Sequence, residues 1–164
     1  MKRWQHFISF LIVSLIIIIF IRSFIITTYA IEGQSMEPTF QSGDRVIINL
    51  VEDIFLPPDV GDIIFFKLND NDTFVKRIIA TPGDYIAVHQ EHVYVNGEKV
   101  TKQAADYSSL LKVEDMKEQI VPKKCYIVLG DHLTDSIDSR QFGCVKEKYI
   151  LGKVIDTYWH KTTK

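Results

Sequence analysis

The sequence predicts a mainly β fold, an antiparallel, barrel-like sheet domain preceded by one N-terminal transmembrane helix. Three observations carry that expectation. Short runs of β-branched and aromatic residues alternate with Gly-Asp turns along most of the chain. One run folds back through Asn96-Gly97, the dipeptide that favours a type I′ hairpin. Ahead of them lies an apolar stretch running from position 7 to position 26.

That first stretch is apolar over 7–21 apart from the small hydroxyls of Ser9 and Ser14; Arg22 interrupts it, and Phe24-Ile25-Ile26 resumes it. Through Ile26 it reaches the ~20 residues that cross a bilayer. Lys2 and Arg3 precede it, and the positive-inside bias puts residues 1–6 in the cytoplasm, 7–26 in the cell membrane and 27–164 outside. Arg22, near the outer end, can snorkel to the headgroups. A cleaved leader is the rival, since Thr28-Tyr29-Ala30 loosely follows a small-x-small pattern. The uncleaved anchor is favoured because a serine of interest, Ser35, follows the span so closely.

With 164 residues, part of them in the anchor, the chain holds one compact domain. A net charge of -2 leaves no basic footprint for nucleic acid. Cys125 and Cys144 are too few and too far apart for a zinc cage and read as two independent small core residues. A disulfide between them becomes available if the domain lies outside the cell.

The strands follow in order. Gly43-Asp44 precedes Arg45-Val46-Ile47-Ile48, Gly61-Asp62 precedes Ile63-Ile64-Phe65-Phe66, and Gly83-Asp84 precedes Tyr85-Ile86-Ala87-Val88. Gly130-Asp131 follows Cys125-Tyr126-Ile127-Val128-Leu129. Between them, period-2 alternation in Thr73-Phe74-Val75-Lys76-Arg77-Ile78-Ile79 sets Phe74, Lys76 and Ile78 on one face. Positions 101–120 are polar and read as a surface insertion, while Asp53-Ile54-Phe55-Leu56-Pro57-Pro58 is either core or a dip into the membrane surface.

Ser35, in Gly33-Gln34-Ser35-Met36-Glu37-Pro38, is by itself an ordinary turn hydroxyl. It becomes chemically interesting only with a base. The hydrolase elbow needs glycine at both ends of the pentapeptide, and Glu37 stands at the second position. Of the histidines, His6 lies on the wrong side of the membrane and His160 near the C-terminus. His89 and His92 flank a hairpin and lack a third partner for a metal. His132, near Asp131, Asp135 and Asp138, is the one credible triad histidine. Lys76 is the other route: apolar neighbours remove water from an amine and lower its pKa. Moving a lysine from ~10.4 to about 8 costs roughly 3 kcal/mol, within reach of apolar burial. Otherwise Lys76 is a solvated strand lysine guarding a sheet edge.

Three stretches taken together resemble the boxes of the bacterial type I signal peptidases. They are Gly33-Gln34-Ser35-Met36-Glu37-Pro38-Thr39, Val75-Lys76-Arg77 running on to Pro82-Gly83-Asp84, and Gly130-Asp131 through Ser136-Ile137-Asp138-Ser139-Arg140 to Gly143. Gly43-Asp44-Arg45-Val46 matches a fourth, structural box. The resemblance implies that Ser35 is a nucleophile and Lys76 its general base, in a serine endopeptidase that cuts exported preproteins after a small-x-small motif. It also implies that Ser136 orients the lysine and that Asp138 and Arg140 support the site, with Arg77 and Asp84 structural. Neither cofactor nor metal is implied; the partners are exported preproteins and the lipid bilayer.

Two departures stand out. His132-Leu133 replaces the family's Asn-Arg after Gly130-Asp131, and Gly33 supplies no hydroxyl to the oxyanion, as in many Gram-positive relatives. Two other readings stay open, a non-catalytic membrane-anchored relative that binds exported chains and a self-cleaving repressor. The latter predicts an N-terminal helix-turn-helix where this chain has an apolar run.

Overall fold

The computed structural model describes residues 2–50, 56–69, 72–101, 105, 107–112 and 119–160, without the side chains of 2–3 and 21–25. The Arg22 side chain, residues 53–55 of the apolar segment before the two prolines, and half of the 101–120 segment lie outside the described residues; the surface reading of that segment fails at Tyr107 and Leu110, which are fully buried. Helix α1 (Lys2–Ile25) opens the chain. Its aliphatic and aromatic side chains, among them Phe7, Phe10, Leu15, Ile18 and Phe20, are exposed all round. Among the described residues no helix is long and apolar enough to cross a membrane. The helix gives way directly to β1 (Ile26–Ala30), so Ile26 and the small-x-small pattern at Thr28-Tyr29-Ala30 belong to a strand.

The body is built of antiparallel sheets. β2 (Arg45–Asn49), β3 (Ile63–Lys67), β4 (Thr73–Ala80), β8 (Cys125–Leu129), β9 (Val145–Lys146) and β10 (Ile150–Trp159) join β1 in a seven-stranded sheet of order β1-β2-β10-β3-β4-β8-β9. β5 (Ile86–His89), β6 (His92–Val95) and β7 (Glu98–Lys99) form a separate three-stranded sheet. Among the described residues the expected barrel closure does not form: β1 and β9 end the large sheet. β9 is only two residues long, too short to carry a ladder back to β1, and the β5–β7 strands leave the large sheet instead of extending it.

The turn chemistry read from the sequence is realised. In Thr81-Pro82-Gly83-Asp84, Gly83 takes φ +93°, which a side chain would strain, and the Asp84 carboxylate accepts from the Thr81 N–H at 2.7 Å. The same bond closes the turns ending at Asp44 and Asp62, with Gln41 and Asp59 as donors at 2.9 and 3.0 Å. Asn96 and Gly97, at φ 51° and 87°, make the expected hairpin between β6 and β7. A second hairpin, β5 to β6, puts Gln90 and Glu91 at positive φ without any glycine to announce it.

Alternation then distributes the core. Ile64 pairs with Lys76 and Phe66 with Phe74, so Ile64, Phe66, Phe74 and Ile78 pack on one face together with Val128. Val75 faces the other way, against Ile31, Met36, Phe40, Val46 and Ile48. A third cluster binds the small sheet to β8 through Ile86, Val93, Tyr107, Leu110 and Ile127.

Cys125 and Cys144, read from sequence as independent core residues, form a disulfide. Their pairing follows from β9: Cys125 lies opposite Lys146 and Tyr126 opposite Val145, which brings Cys144 alongside with Cα atoms 5.6 Å apart. The link closes a loop of sequence separation 19, so its removal from the Cys125→Ser/Cys144→Ser variant is expected to lower stability by about 3 kcal/mol. The urea midpoint of the purified variant checks this; an unchanged midpoint would show that the loop is held without the link.

Candidate active site

Ser35 stands on a segment pinned from both sides. Ile31 donates to the Asp44 carbonyl and accepts from the Gly43 N–H, both at 2.8 Å, tying the chain after β1 to the first Gly-Asp turn. Met36, 1 % exposed, then anchors the segment in the core beside Val75. From the opposite side the His132 N–H donates to the Ser35 carbonyl at 3.0 Å.

Lys76 enters from β4 and is 3 % exposed. Its Nζ donates to Ser35 Oγ at 2.6 Å and lies 5.9 Å from the centre of the Phe74 ring, the neighbour the alternation predicted. Burial lowers its pKa to about 8, opposed by the negative charges of Asp138 and Asp131. At that value a substantial fraction of the amine is neutral near pH ~8 and able to take a proton from a hydroxyl in contact with it.

The last box forms the wall behind this pair. Asp138, fully buried, accepts from Arg140 Nε at 2.8 Å, from Arg140 Nη2 at 2.9 Å and from the Gly130 N–H at 3.2 Å. Arg140 also donates to the Leu133 carbonyl at 2.7 Å, and Ser139 Oγ accepts from the Val128 N–H at 2.9 Å. Asp138 and Arg140 thus hold the 130–136 loop onto β8 without touching the serine or the lysine. Arg77 grips Asp131 through Nε at 2.8 Å and Nη2 at 2.7 Å and donates to the Gly61 carbonyl at 2.9 Å, joining two Gly-Asp turns. Asp84 accepts from the Thr81 N–H at 2.7 Å, from the Thr81 hydroxyl at 2.9 Å and from Asn96 Nδ2 at 2.7 Å. Ser136 differs from expectation: its hydroxyl is buried and makes no hydrogen bond among the described residues, to Lys76 or otherwise. Gly33 sits at φ +80°, a conformation that discourages a side chain even though the space around it is open.

His132 approaches Ser35 through its backbone. Its ring meets Thr134 Oγ1 at 3.2 Å and Asp135 at 3.6 Å, while the Ser35 hydroxyl meets Lys76. His89 and His92 are cross-strand neighbours, and no group of His, Cys, Asp or Glu able to hold a metal occurs among the described residues.

One functional position escaped the sequence reading. Gly130 was legible only as a turn residue, yet a Cβ there would fall on the Ser136 side chain and 2.5 Å from the Ser35 carbonyl oxygen. The turn therefore passes against the serine only because position 130 has no side chain. No local pattern announces a contact made across such a sequence distance.

Beside the pair lies a cleft of about 280 Å³, bordered by Tyr29, Ile31, Ser35, Met36 and Ile137 and by residues 73–76 of β4. β8 pairs with β4 only from Arg77 onward. Over 73–76 that edge of β4 has no strand partner among the described residues, leaving it available to an extended peptide. A hydroxyl against a dehydrated amine, at the end of an open strand edge, makes a site suited to hydrolysing an extended chain.

The family model described as signal peptidase, peptidase S26, matches residues 4–159. The chain belongs to that family and is a peptidase of the signal peptidase kind. It is 34% identical to a signal peptidase IB of Staphylococcus aureus, over 96% of this chain and 91% of the relative. It is 37% identical to a signal peptidase I of Bacillus caldolyticus, over 96% and 90%. A crystal structure of a signal peptidase I from Enterococcus faecalis V583, 28% identical, covers 60% of this chain and 97% of that one, with a TM-score of 0.48.

Proposed function

We propose that this protein is a membrane-anchored serine endopeptidase that removes signal peptides from exported preproteins after a small-x-small motif, with Ser35 as nucleophile and Lys76 as general base. The observation that carries the reading is the 2.6 Å contact between the Ser35 hydroxyl and a lysine amine that is 3 % exposed. Neutral Lys76 takes the Ser35 proton as Oγ attacks the scissile carbonyl. The resulting ammonium protonates the leaving amine, freeing the mature chain and leaving an acyl-enzyme. Lys76 then takes a proton from the water that attacks the ester and returns it to Ser35 Oγ as the acyl bond breaks, which regenerates the neutral amine. Gly33 brings no hydroxyl, so backbone donors, the Ser35 N–H among them, meet the oxyanion. Arg77, Asp138 and Arg140 hold the surrounding turns, and Ser136 packs beside Gly130.

The anchor supplies proximity. No helix among the described residues is long and apolar enough to cross a membrane, so the anchor rests on the sequence run from 7 to 26, which has the ~20 residues a bilayer core takes, and on the apolar side chains from Phe7 to Phe20 that α1 exposes all round. A helix apolar on every side finds its solvent in lipid. Lys2 and Arg3 favour a cytoplasmic start, and the Cys125–Cys144 disulfide suits an oxidising space outside the cell. The cut site of a translocated preprotein and Ser35 then meet at the same surface.

Incubating the purified full chain with a preprotein and reading the new N-terminus by mass spectrometry tests the reading; cleavage elsewhere than after small-x-small, or none, overturns it. A non-catalytic relative would bind the preprotein intact. The pH profile is a second expectation. Because the base must be neutral, kcat/KM is expected to rise about tenfold per pH unit below about 8 and to level above it. A profile flat from pH 6 to 9 would remove Lys76 from the base role.

A further inference from the structure

The ion pair behind the serine and the lysine has a third member. Arg140 meets Asp138 through Nε and Nη2, at 2.8 and 2.9 Å, and its guanidinium carbon stands over the Tyr107 ring, 6.0 Å from the ring centre. At that spacing the negative face of an aromatic ring attracts a guanidinium. Tyr107 is fully buried and comes from the 101–120 segment, where Leu110 packs into one cluster with Ile127 and Leu129 of β8. A hydrogen bond between Tyr107 and Thr101 holds the far end of the ring, and Thr101 Oγ1 accepts from the Val93 N–H at 2.9 Å. The ring is thus fixed from the small sheet and from β8 together.

Its position matters because of charge. Asp131 and Asp138 act on Lys76, and their negative charge favours the ammonium over the neutral amine. Each carboxylate has its own arginine: Arg77, next to Lys76 on β4, holds Asp131 at 2.7 Å, and Arg140 holds Asp138 at 2.8 Å. Glu32 and Asp135 border the same cleft but are exposed, so water screens them, and the His132 ring lies 3.6 Å from Asp135. On the far side of Tyr107, His92 Nδ1 comes within 3.4 Å of Thr101 Oγ1. Asp138 is the exception to screening: it is 0 % exposed, so the charge that Arg140 leaves uncancelled reaches Lys76 through protein.

We infer that Tyr107 is a positioning residue for the proton transfer, its ring holding the Arg140 guanidinium on Asp138 and so limiting how much of that carboxylate's charge reaches Lys76; the inference rests on the reading of Lys76 as base. The 101–120 segment then contributes to the reaction from behind the site, without touching Ser35, Lys76 or the substrate.

The pH profile of preprotein cleavage by the detergent-solubilised full chain tests this. Tyr107→Met keeps an apolar side chain but has no ring face. Its midpoint for kcat/KM is expected to move from about 8 to about 9, with about tenfold slower cleavage at pH 7 and rates approaching wild type above pH ~10. Tyr107→Phe keeps the ring and is expected to keep the wild-type midpoint. A Tyr107→Met profile lowered equally at every pH makes the ring a packing element and overturns the assignment. A Tyr107→Phe midpoint displaced as far as that of Tyr107→Met gives the effect to the hydroxyl and overturns it too. Should Tyr107→Met not fold, phenylalanine carrying one, two or three fluorines at position 107 decides, since each fluorine weakens the ring face with little change of shape. The midpoint is expected to rise with every fluorine, and a constant midpoint overturns the assignment. A flat profile or no cleavage in the wild type overturns Lys76 as base, and the assignment with it; the other outcomes overturn the assignment alone.

Discussion

Replacing Ser35 by alanine or Lys76 by methionine is expected to lower preprotein cleavage by ~10⁴-fold or more, since nucleophile and base act as one unit. The two variants should part company in stability. Ser35→Ala removes one hydrogen bond and little else. Lys76→Met removes a cation held where water is scarce, and methionine keeps most of its volume. The folded-state pKa of about 8 lies below the ordinary lysine value of 10.5, so between those limits the unfolded chain binds more protons and stability rises with pH. Below about 8 the buried charge costs its full amount, about 3 kcal/mol, and above about 10.5 the cost vanishes. Lys76→Met is therefore expected to unfold at higher temperature than wild type at pH 7, with the gap narrowing toward pH 10.5. Thermal melts of the detergent-solubilised full chain at both pH values check it. A variant less stable than wild type at pH 7 would mean that the ammonium is well solvated or paired, and the argument for a lowered pKa would go with it.

The second large effect is expected at a residue with no side chain. Gly130→Ala meets no backbone penalty, because Gly130 is not among the positive-φ positions. The added methyl would fall on Ser136 and 2.5 Å from the Ser35 carbonyl oxygen, so the turn or the serine segment must move. Displacing a nucleophile by about 1 Å can cost ~10²-fold in rate. We expect kcat to fall by about that factor, stability by about 1–3 kcal/mol, and KM to change little. Gly83→Ala is the control: it strains a positive-φ turn far from the serine and should cost stability with little effect on kcat. Wild-type kcat in Gly130→Ala would show that the contact between turn and serine segment has slack.

Turn grammar, strand alternation and the apolar N-terminal run are local properties, written in neighbouring residues, and a sequence discloses them. Gly with Asp dictates the three turns, and Phe74-Val75-Lys76-Arg77-Ile78 dictates which side chains share a face with the lysine. The pKa near 8 was legible for the same reason, since it needs only apolar company for an amine. The disulfide, the open sheet and the Gly130 contact were not. Each depends on where distant segments meet: β9 against β8, β9 failing to reach β1, the 130–132 turn against Ser35. The β5–β6 hairpin stayed hidden because Gln90 and Glu91 are unusual residues for positive φ. The sequence alone disclosed the strands near 45–48, 63–66, 73–79, 85–88 and 125–129, the Asn96-Gly97 hairpin and the Gly-Asp turns, with Ser35 and Lys76 as candidates; β1, β9 and β10 were not read from it. Tertiary structure decided that Ser35 and Lys76 touch, that among the described residues the edge of β4 is open only up to Lys76, and that the Ser136 hydroxyl packs against Gly130 without a hydrogen bond to Lys76. Those are matters of distance between segments remote in the chain, and only packing of the whole domain sets them.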